Sequence, residues 1–129
     1  MKITVEWDDP EQTVLCMTYE GQWVLEEYLA SIDQSVAMVR SVNHHVDVIV
    51  NAVDNAAQTP PLWGLRMWRY AVINTPPNKG ITVVVPGNAG VRAFSAALNR
   101  LARPRPYGRI LTADTLDQAR LLIQSMRDA

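Results

Sequence analysis

The chain opens with two stretches in which the residue pattern is that of β-strands. In residues 1–7, Ile3, Val5 and Trp7 alternate with polar side chains, which is the period of a half-buried strand. The turn sequence DDPEQ follows, and residues 13–21 form a second β-rich stretch. Because a short polar connection between neighbouring strands favours an antiparallel pair, we predict an N-terminal hairpin.

The pattern then changes to a helical period and back to that of a strand. Apolar residues recur at spacings of three and four between residues 23 and 42, which predicts an amphipathic helix. Residues 46–53, VDVIVNAV, are almost continuously apolar, as expected of a central strand that is covered on both faces. The residues of the helical stripe are Leu25, Leu29, Ile32, Val36 and Val39.

Strands and helices continue to alternate in the second half of the chain. Residues 81–85 (ITVVV) and 109–114 (RILTAD) predict two further strands, separated by a helical pattern over residues 91–101. A last helix begins at Thr115, where Gln118 stands three residues on, as in a capping box. The apolar stripe of this helix consists of Leu116, Ala119, Ile123 and Met126.

Together these elements predict a single α/β domain over residues 1–129. Strands that alternate with helices imply crossover connections, and these give a parallel sheet with helices packed on it. We therefore predict a mixed sheet of about five strands, with an antiparallel N-terminal hairpin, largely parallel strands elsewhere, and four helices.

Composition indicates the setting in which the protein works. Of its 129 residues 48% are apolar, enough for a sizeable core. The apolar runs are shorter than the roughly 20 residues that span a membrane, and the N-terminus lacks the pattern of a signal peptide. Cys16 is the sole cysteine and lies in an apolar strand, where a thiol behaves as a small hydrophobe. These features predict a cytoplasmic protein in a reducing compartment.

Charge is unevenly distributed, although the net charge is only −1. Residues 1–54 carry ten acidic and two basic side chains, whereas residues 55–113 carry eight basic side chains and no acidic one. This asymmetry fits an anionic partner, or two complementary faces of one fold or of two copies, and interleaved βα units favour the complementary faces. The run RLARPRPYGR holds one aromatic residue among its arginines, too few stacking side chains to predict nucleic-acid binding.

The sequence predicts no catalytic, metal or cofactor site. His44 and His45 are adjacent, so they diverge on any regular element, and the cysteine is distant, which leaves no zinc pattern. The chain also lacks a G-x-S-x-G nucleophile motif, a G-x-G-x-x-G loop and a Walker lysine. These absences favour a non-enzymatic protein that needs no cofactor.

A polar rim is predicted where the central strands end. Asn51, Asp54 and Asn88 follow at the carboxyl ends of strands, where ligands bind in open α/β sheets. In the turn PGNAGVR, Gly90 and Arg92 stand at the start of a helix, a position that favours an anion. Because the same residue types are common in tight turns between strand and helix, an anion site and an ordinary turn both fit the pattern.

The segment 51–70 carries the sharpest functional signal. Thr59 precedes two prolines and is placed to cap a helix over residues 60–73. That helix carries two apolar stripes, one more than a surface helix needs for packing on its sheet. The second stripe must lie under another element, line a pocket or meet a second subunit, and tryptophan with arginine is typical of interface centres. The interface or ligand candidates are Trp63, Arg66, Met67, Trp68, Arg69 and Tyr70.

Two stretches carry a resemblance to a known family. The strand, turn and helix of ITVVVPGNAGVRAF and the strand and capped helix of RILTADTLDQARLLI are similar to the pattern of STAS-like proteins of unassigned function found in bacteria. The order of elements over nearly the whole chain resembles the STAS domain, the fold of anti-sigma-factor antagonists and of transporter tails. The resemblance implies a STAS-like fold and a module that docks with other proteins.

The resemblance departs from its family at one functional position. In the antagonists, the loop after the third strand leads to Asp-Ser-Ser-Gly at the start of the next helix, and phosphorylation of its serine controls partner docking. The corresponding stretch here is AAQTPPLWG, which has no serine. Thr59 is its sole hydroxyl and hence the phosphoacceptor candidate, although capping would already engage its oxygen.

Two functional hypotheses follow from the sequence. In the first, a non-enzymatic regulatory module self-associates as a dimer, or binds a regulatory protein, through helix 60–73. In the second, the protein carries a small apolar or anionic molecule, or a lipid, in a pocket at the carboxyl ends of the strands, and the same helix closes that pocket.

Overall fold

The protein is described here from a computed structural model, in which residues 3–21, 23–52, 66, 69–86 and 110–128 are described. Five strands and three helices lie in these residues. The strands are β1 (Ile3–Trp7), β2 (Val14–Tyr19), β3 (Val46–Ala52), β4 (Lys79–Val85) and β5 (Ile110–Thr112). The helices are α1 (Leu25–Arg40), α2 (residues 69–73) and α3 (Leu116–Asp128).

The five strands form one mixed sheet in the order β1-β2-β3-β4-β5. β1 and β2 pair antiparallel, and every later neighbour pair is parallel. This arrangement confirms the predicted α/β class, the N-terminal hairpin and the parallel remainder. The fourth predicted helix, over residues 91–101, lies outside the described residues.

Helices cover both faces of the sheet. On one face α1 packs on β1 and β2, and Ala71 of α2 joins the same core. On the other face α3 packs on β3 and β4. Neighbouring residues of β3 enter opposite cores, with Val48 on the α1 side and Ile49 on the α3 side. The apolar run of β3 is therefore explained as predicted, because each of its faces is covered.

The buried face of α1 differs slightly from its apolar stripe. Ser31 and Ser35 are buried alongside Ile32 and Val39, whereas Leu29 is half-buried. The two serine hydroxyls donate to carbonyls of their own helix, those of Tyr28 and Ile32, at 2.6 and 2.8 Å. Because these side chains are small and satisfy their own hydrogen bonds, they are tolerated at the contact with the sheet.

The last helix begins as predicted but ends differently. The Gln118 N–H donates to Thr115 Oγ1, and the Gln118 side chain accepts from the N–H of Asp114 rather than from that of Thr115. The predicted apolar stripe is wrong at Met126, which is exposed. Ala119 and Ile123 are buried four residues apart, and the same spacing continues to Arg127, whose guanidinium reaches the sheet.

Candidate functional site

The candidate site is built around Asp47, a carboxylate buried inside an apolar strand. Its side chain is only 4% exposed and lies near the amino end of β3, on the face covered by α3. The register of β3 and β4 shifts at this point, because Val46 pairs with Lys79 whereas Val48 pairs with Thr82. The resulting bulge places the backbone of Gly80 and Ile81 beside the carboxylate.

Both oxygens of the Asp47 carboxylate are engaged. Oδ2 accepts from Arg127 of α3, with Nε at 3.0 Å and Nη2 at 2.9 Å. Oδ1 accepts from the N–H of Ile81 at 2.9 Å and lies 3.1 Å from Nε2 of His45. A buried carboxylate is tolerated only when it is paired and hydrogen-bonded, and Asp47 meets both conditions.

Arg127 also joins this site to the turn between β1 and β2. Its Nη1 and Nη2 donate to the hydroxyl and the carbonyl of Thr13, at 3.0 and 2.8 Å. The Thr13 hydroxyl donates in turn to Asp9, which also accepts from the N–H groups of Thr13 and Val14. Burial raises the pKa of Asp9, but these hydrogen bonds outweigh it and hold the pKa below its ordinary value.

Gly80 makes this close arrangement possible. A Cβ built on Gly80 would lie 2.0 Å from Nε2 of His45 and 2.1 Å from Oδ1 of Asp47, distances at which atoms overlap. A residue without a side chain is therefore required where the histidine and the carboxylate approach the strand. The close approach of His45 and Asp47 to the backbone, rather than an unusual backbone angle, explains why a glycine stands at position 80.

Lys79 is the residue before Gly80, at the start of β4. Nζ donates to the Gly80 carbonyl at 2.9 Å. Burial lowers the pKa of Lys79 to about 7, against a smaller opposing effect from the charge of Asp47. Lys79 is one of only two lysines in the chain, whose other ten basic side chains, histidines aside, are arginines.

The amine of Lys79 is expected to make stability depend on pH above neutrality. The unfolded chain keeps a lysine protonated up to pH about 10.4, whereas the folded chain releases the proton near pH 7. Between these values the unfolded state binds the extra proton, so the free energy of unfolding rises with pH, here by about 1 to 2 kcal/mol for a partly buried amine. Urea denaturation from pH 6 to 10 measures this rise.

The control for this experiment is the chain's other lysine. Lys79→Gln should flatten the curve between pH 7 and 10, and Lys2→Gln should leave it unchanged. Curves that stay parallel for the parent protein and Lys79→Gln would show that Lys79 titrates as an ordinary lysine.

A second arginine ties α3 to the first hairpin. Arg120 makes a two-point contact with Asp8, with Nε and Nη2 at 2.9 and 2.8 Å from the two carboxylate oxygens. Its Nη1 also contacts Asp117 one turn earlier, at 3.1 Å. Hydrogen bonding to Asp8 raises the pKa of Arg120 above its ordinary value, against partial desolvation. This pair is more exposed than the Asp47 pair, so it adds less stability.

In the described part of the predicted interface helix, polar and apolar side chains lie together in one stripe on the outer side of the helix. Arg66, Arg69, Tyr70 and Ile73 follow helical spacings of three and four. Both arginines are exposed, Tyr70 is half-buried, and Ile73 is 69% exposed. The remaining apolar candidates, Trp63, Met67 and Trp68, lie outside the described residues.

Tyr70 fixes this helix to its neighbour α1. Its hydroxyl donates to Oδ1 of Asp33 at 2.6 Å, and this bond is the main cause of a raised pKa for the tyrosine. Ala71, the next residue, is buried in the core on the same side of the sheet. The outer stripe is thus held in place by one polar and one apolar contact.

Of the predicted pocket rim, the structure describes Asn51, which is half-buried at the end of β3. The other rim and anion candidates, Asp54, Asn88, Gly90 and Arg92, and the phosphoacceptor candidate Thr59 lie outside the described residues. Near the same edge of the sheet, Trp23 stacks on Tyr28 and meets Tyr19 edge-on, with ring centroids at 6.0 and 5.4 Å. Its indole N–H is buried and has no hydrogen-bond partner among the described residues.

The remaining reactive side chains have structural environments. His44 and His45 are both exposed, and Nε2 of His44 lies 2.7 Å from the Gln12 carbonyl. Burial raises the pKa of the Cys16 thiol, so this cysteine behaves as the predicted small hydrophobe. In the described part of the chain, no group of three or more histidine, cysteine, aspartate or glutamate side chains could hold a metal ion. None of the helices described there is long and apolar enough to cross a membrane.

The residues of this cluster were not predicted from the sequence. The available signal was Asp47 itself, because it interrupts an apolar strand and a charge at such a position has to be paired. Arg127 was not placed on the sheet-facing side of its helix, and the lysine and glycine before ITVVV were placed outside the strand. The local sequence around Arg127, Lys79 and Gly80 does not distinguish these residues from surface residues.

No family model matches the chain, and neither a curated protein nor a solved structure matches it.

Proposed function

We propose that this chain is a STAS-like, non-enzymatic interaction module of the bacterial cytoplasm that forms a dimer through the outer face of helix 60–73. The observation that carries the proposal is the stripe of Arg66, Arg69, Tyr70 and Ile73, which projects from a helix anchored on its inner side. Arginine and tyrosine are enriched at interface centres, and an exposed isoleucine beside them supplies apolar area for burial.

The stripe is rigid enough to serve as a docking surface. Tyr70 is held by Asp33, and Ala71 is buried beneath it, so little order has to be imposed when a partner binds. Contacts on preorganised elements lose less conformational entropy on association than contacts on mobile loops.

Charge favours a second copy of this chain as the partner. The stripe is cationic through Arg66 and Arg69, and the adjacent helix α1 carries exposed acids, including Glu26 and Asp33. A two-fold axis near the contact between α1 and α2 brings the arginines of one copy toward the acids of the other. The opposed charge blocks of the sequence would then meet across the interface.

Native mass spectrometry of the purified protein tests this proposal. The parent protein is expected to be a dimer, and Ile73→Glu is expected to raise the dissociation constant about 100-fold, because it places an unpaired carboxylate in the contact. Leu121→Glu is the matched control, since Leu121 is 70% exposed on α3, across the sheet from the stripe. It should leave the dimer intact.

Three outcomes contradict the proposal. A parent protein that is monomeric at all concentrations would exclude self-association. Equal weakening by Ile73→Glu and Leu121→Glu would mean that the contact is not made by the stripe. Retention of the parent dimer by Ile73→Glu would likewise place the interface elsewhere.

A small-molecule carrier is the second candidate function. The observation favouring it is the buried indole N–H of Trp23, a donor without an acceptor among the described residues, near the carboxyl end of β2. A bound molecule with an acceptor group would satisfy that donor. The same spectra decide between the two functions, because a carrier retains a ligand mass on a monomer.

A further inference from the structure

We propose that α3 detaches from the sheet as a unit while the strands and α1 stay folded, and that this opening uncovers the side chain of Cys16. The inference concerns the helix on one face of the sheet and does not depend on the dimer. It rests on the small buried area of α3, on the polar contacts that hold this helix, and on the residues that lie beneath it.

Few side chains of α3 are buried. Ala119 and Ile123 are the two buried residues among its 13, and Leu116 and Leu122 are half-buried. In α1, which covers the other face of the sheet, five of 16 residues are buried. Because apolar burial supplies most of the free energy that holds a helix on a sheet, the apolar side chains hold α3 less firmly than α1.

Two arginines supply the long-range polar contacts that hold α3. Arg127 pairs with Asp47 and also donates to Thr13, and Arg120 pairs with Asp8. The side chains of Arg127 and Arg120 are 33% and 45% exposed, so water replaces their acceptors readily when the helix leaves. The free energy of opening therefore depends strongly on these two arginines, because the apolar contact is small.

The connection between β5 and α3 is short and exposed, as a hinge requires. Asp114 and Thr115 are both exposed, whereas Ala113 before them is buried and its N–H donates to the Val84 carbonyl at 3.0 Å. Changes in the backbone angles of a few residues at the end of an element are enough to swing a helix away from its sheet. The strand β5 therefore stays paired with β4 when α3 opens.

The sole cysteine of the chain lies in the core that α3 covers. Cys16 on β2 is 5% exposed and belongs to the same apolar cluster as Ile49 and Val83 of the sheet and Ala119 and Ile123 of α3. Burial also raises the pKa of the Cys16 thiol, which lowers its reactivity while the helix is docked. When α3 leaves, the thiol meets water, so the reactivity of Cys16 reports the opening.

Alkylation of Cys16 by iodoacetamide tests the proposal. The rate is measured by mass spectrometry along a urea series, with the reagent dilute enough that the rate stays proportional to its concentration. Divided by the rate of the unfolded chain, it gives the equilibrium constant for exposure of the thiol, and urea denaturation gives that of global unfolding. We expect exposure at least about tenfold more often than global unfolding, with little dependence on urea at low concentration, because one opening helix exposes little surface.

Two variants separate opening of α3 from global unfolding. Arg127→Ala is expected to raise the alkylation rate about 100-fold, since it breaks an ion pair that holds the helix. Gly21→Ala is the matched control, because it strains the connection between β2 and α1, which stays folded when α3 opens. It should change the rate by less than about twofold, whereas a thiol reached only by global unfolding would react about fivefold faster.

Three results would overturn the proposal. The first is an alkylation rate in the parent protein that follows global unfolding at every urea concentration. The second is a fivefold faster reaction of Gly21→Ala, and the third is an unchanged rate in Arg127→Ala that circular dichroism shows to be folded. If Arg127→Ala does not fold, the urea series and Gly21→Ala still decide between the two routes to the thiol.

Discussion

Replacing Arg127 by alanine is expected to lower the free energy of unfolding by about 3 kcal/mol, since it leaves the buried carboxylate of Asp47 without its cation. The substitution removes both guanidinium contacts to Oδ2 and both contacts to Thr13, while the partners of Oδ1 stay in place. This loss in the free energy of unfolding is at the low end of the range for breaking a buried ion pair, because the Arg127 side chain is 33% exposed. Urea denaturation at pH 7, with the slope checked for constancy, measures the loss.

Arg120 provides the matched control on the same helix. It is also paired with a carboxylate, that of Asp8, but it is 45% exposed and reaches the same hairpin from the surface. Arg120→Ala is therefore expected to cost at most about 1 kcal/mol. Equal losses for the two variants would show that burial of Asp47 adds nothing to the pair. The double variant Asp47→Asn with Arg127→Met should regain part of the loss, because it removes the unpaired charge.

Replacing Gly80 by alanine is expected to destabilise the protein by about 3 kcal/mol, the upper range for an overpacked site. The added Cβ would overlap Nε2 of His45 and Oδ1 of Asp47, and the carboxylate cannot move without breaking its bonds to Ile81 and Arg127. Thermal or urea unfolding measures the effect.

Gly21→Ala separates steric overlap from backbone strain. Gly21 has a positive φ of 65° and open space around the missing Cβ, so its substitution carries strain alone, about 1 kcal/mol. His45→Ala in the Gly80→Ala background should recover part of the stability, since two of the three overlapping atoms belong to that histidine. A Gly80→Ala variant as stable as Gly21→Ala would mean that the cluster relaxes freely, contrary to its bonding.

The sheet was predictable because its signals are local. The alternation in β1 and the continuous apolar run of β3 each report how many faces of the strand are covered, and both were interpreted correctly. The start of β4 was missed by two residues, since Lys79 and Gly80 read as part of the turn NTPPNKG. A bulge at this point conceals the strand pattern, because the extra residue interrupts the alternation.

The candidate site was not predictable because it depends on residues far apart in the sequence. The pattern of α3 fits burial of either Met126 or Arg127 in its last turn, and the choice depends on Asp47, which lies 80 residues earlier. The hydrophobic period alone favoured the methionine.

The two arginines of α3 have a further consequence for how the chain folds. Arg120 contacts a residue 112 positions earlier in the sequence, and Arg127 contacts one 114 positions earlier. These arginine contacts between the last helix and the first hairpin are therefore among the least local contacts of the molecule. For an otherwise unfolded chain, closing a loop of that length costs about 4 kcal/mol of chain entropy. This cost is as large as the stability that the two arginine contacts are expected to contribute. The arginine contacts therefore form only after pairing of the intervening strands has shortened the loop, which makes them a late step in folding.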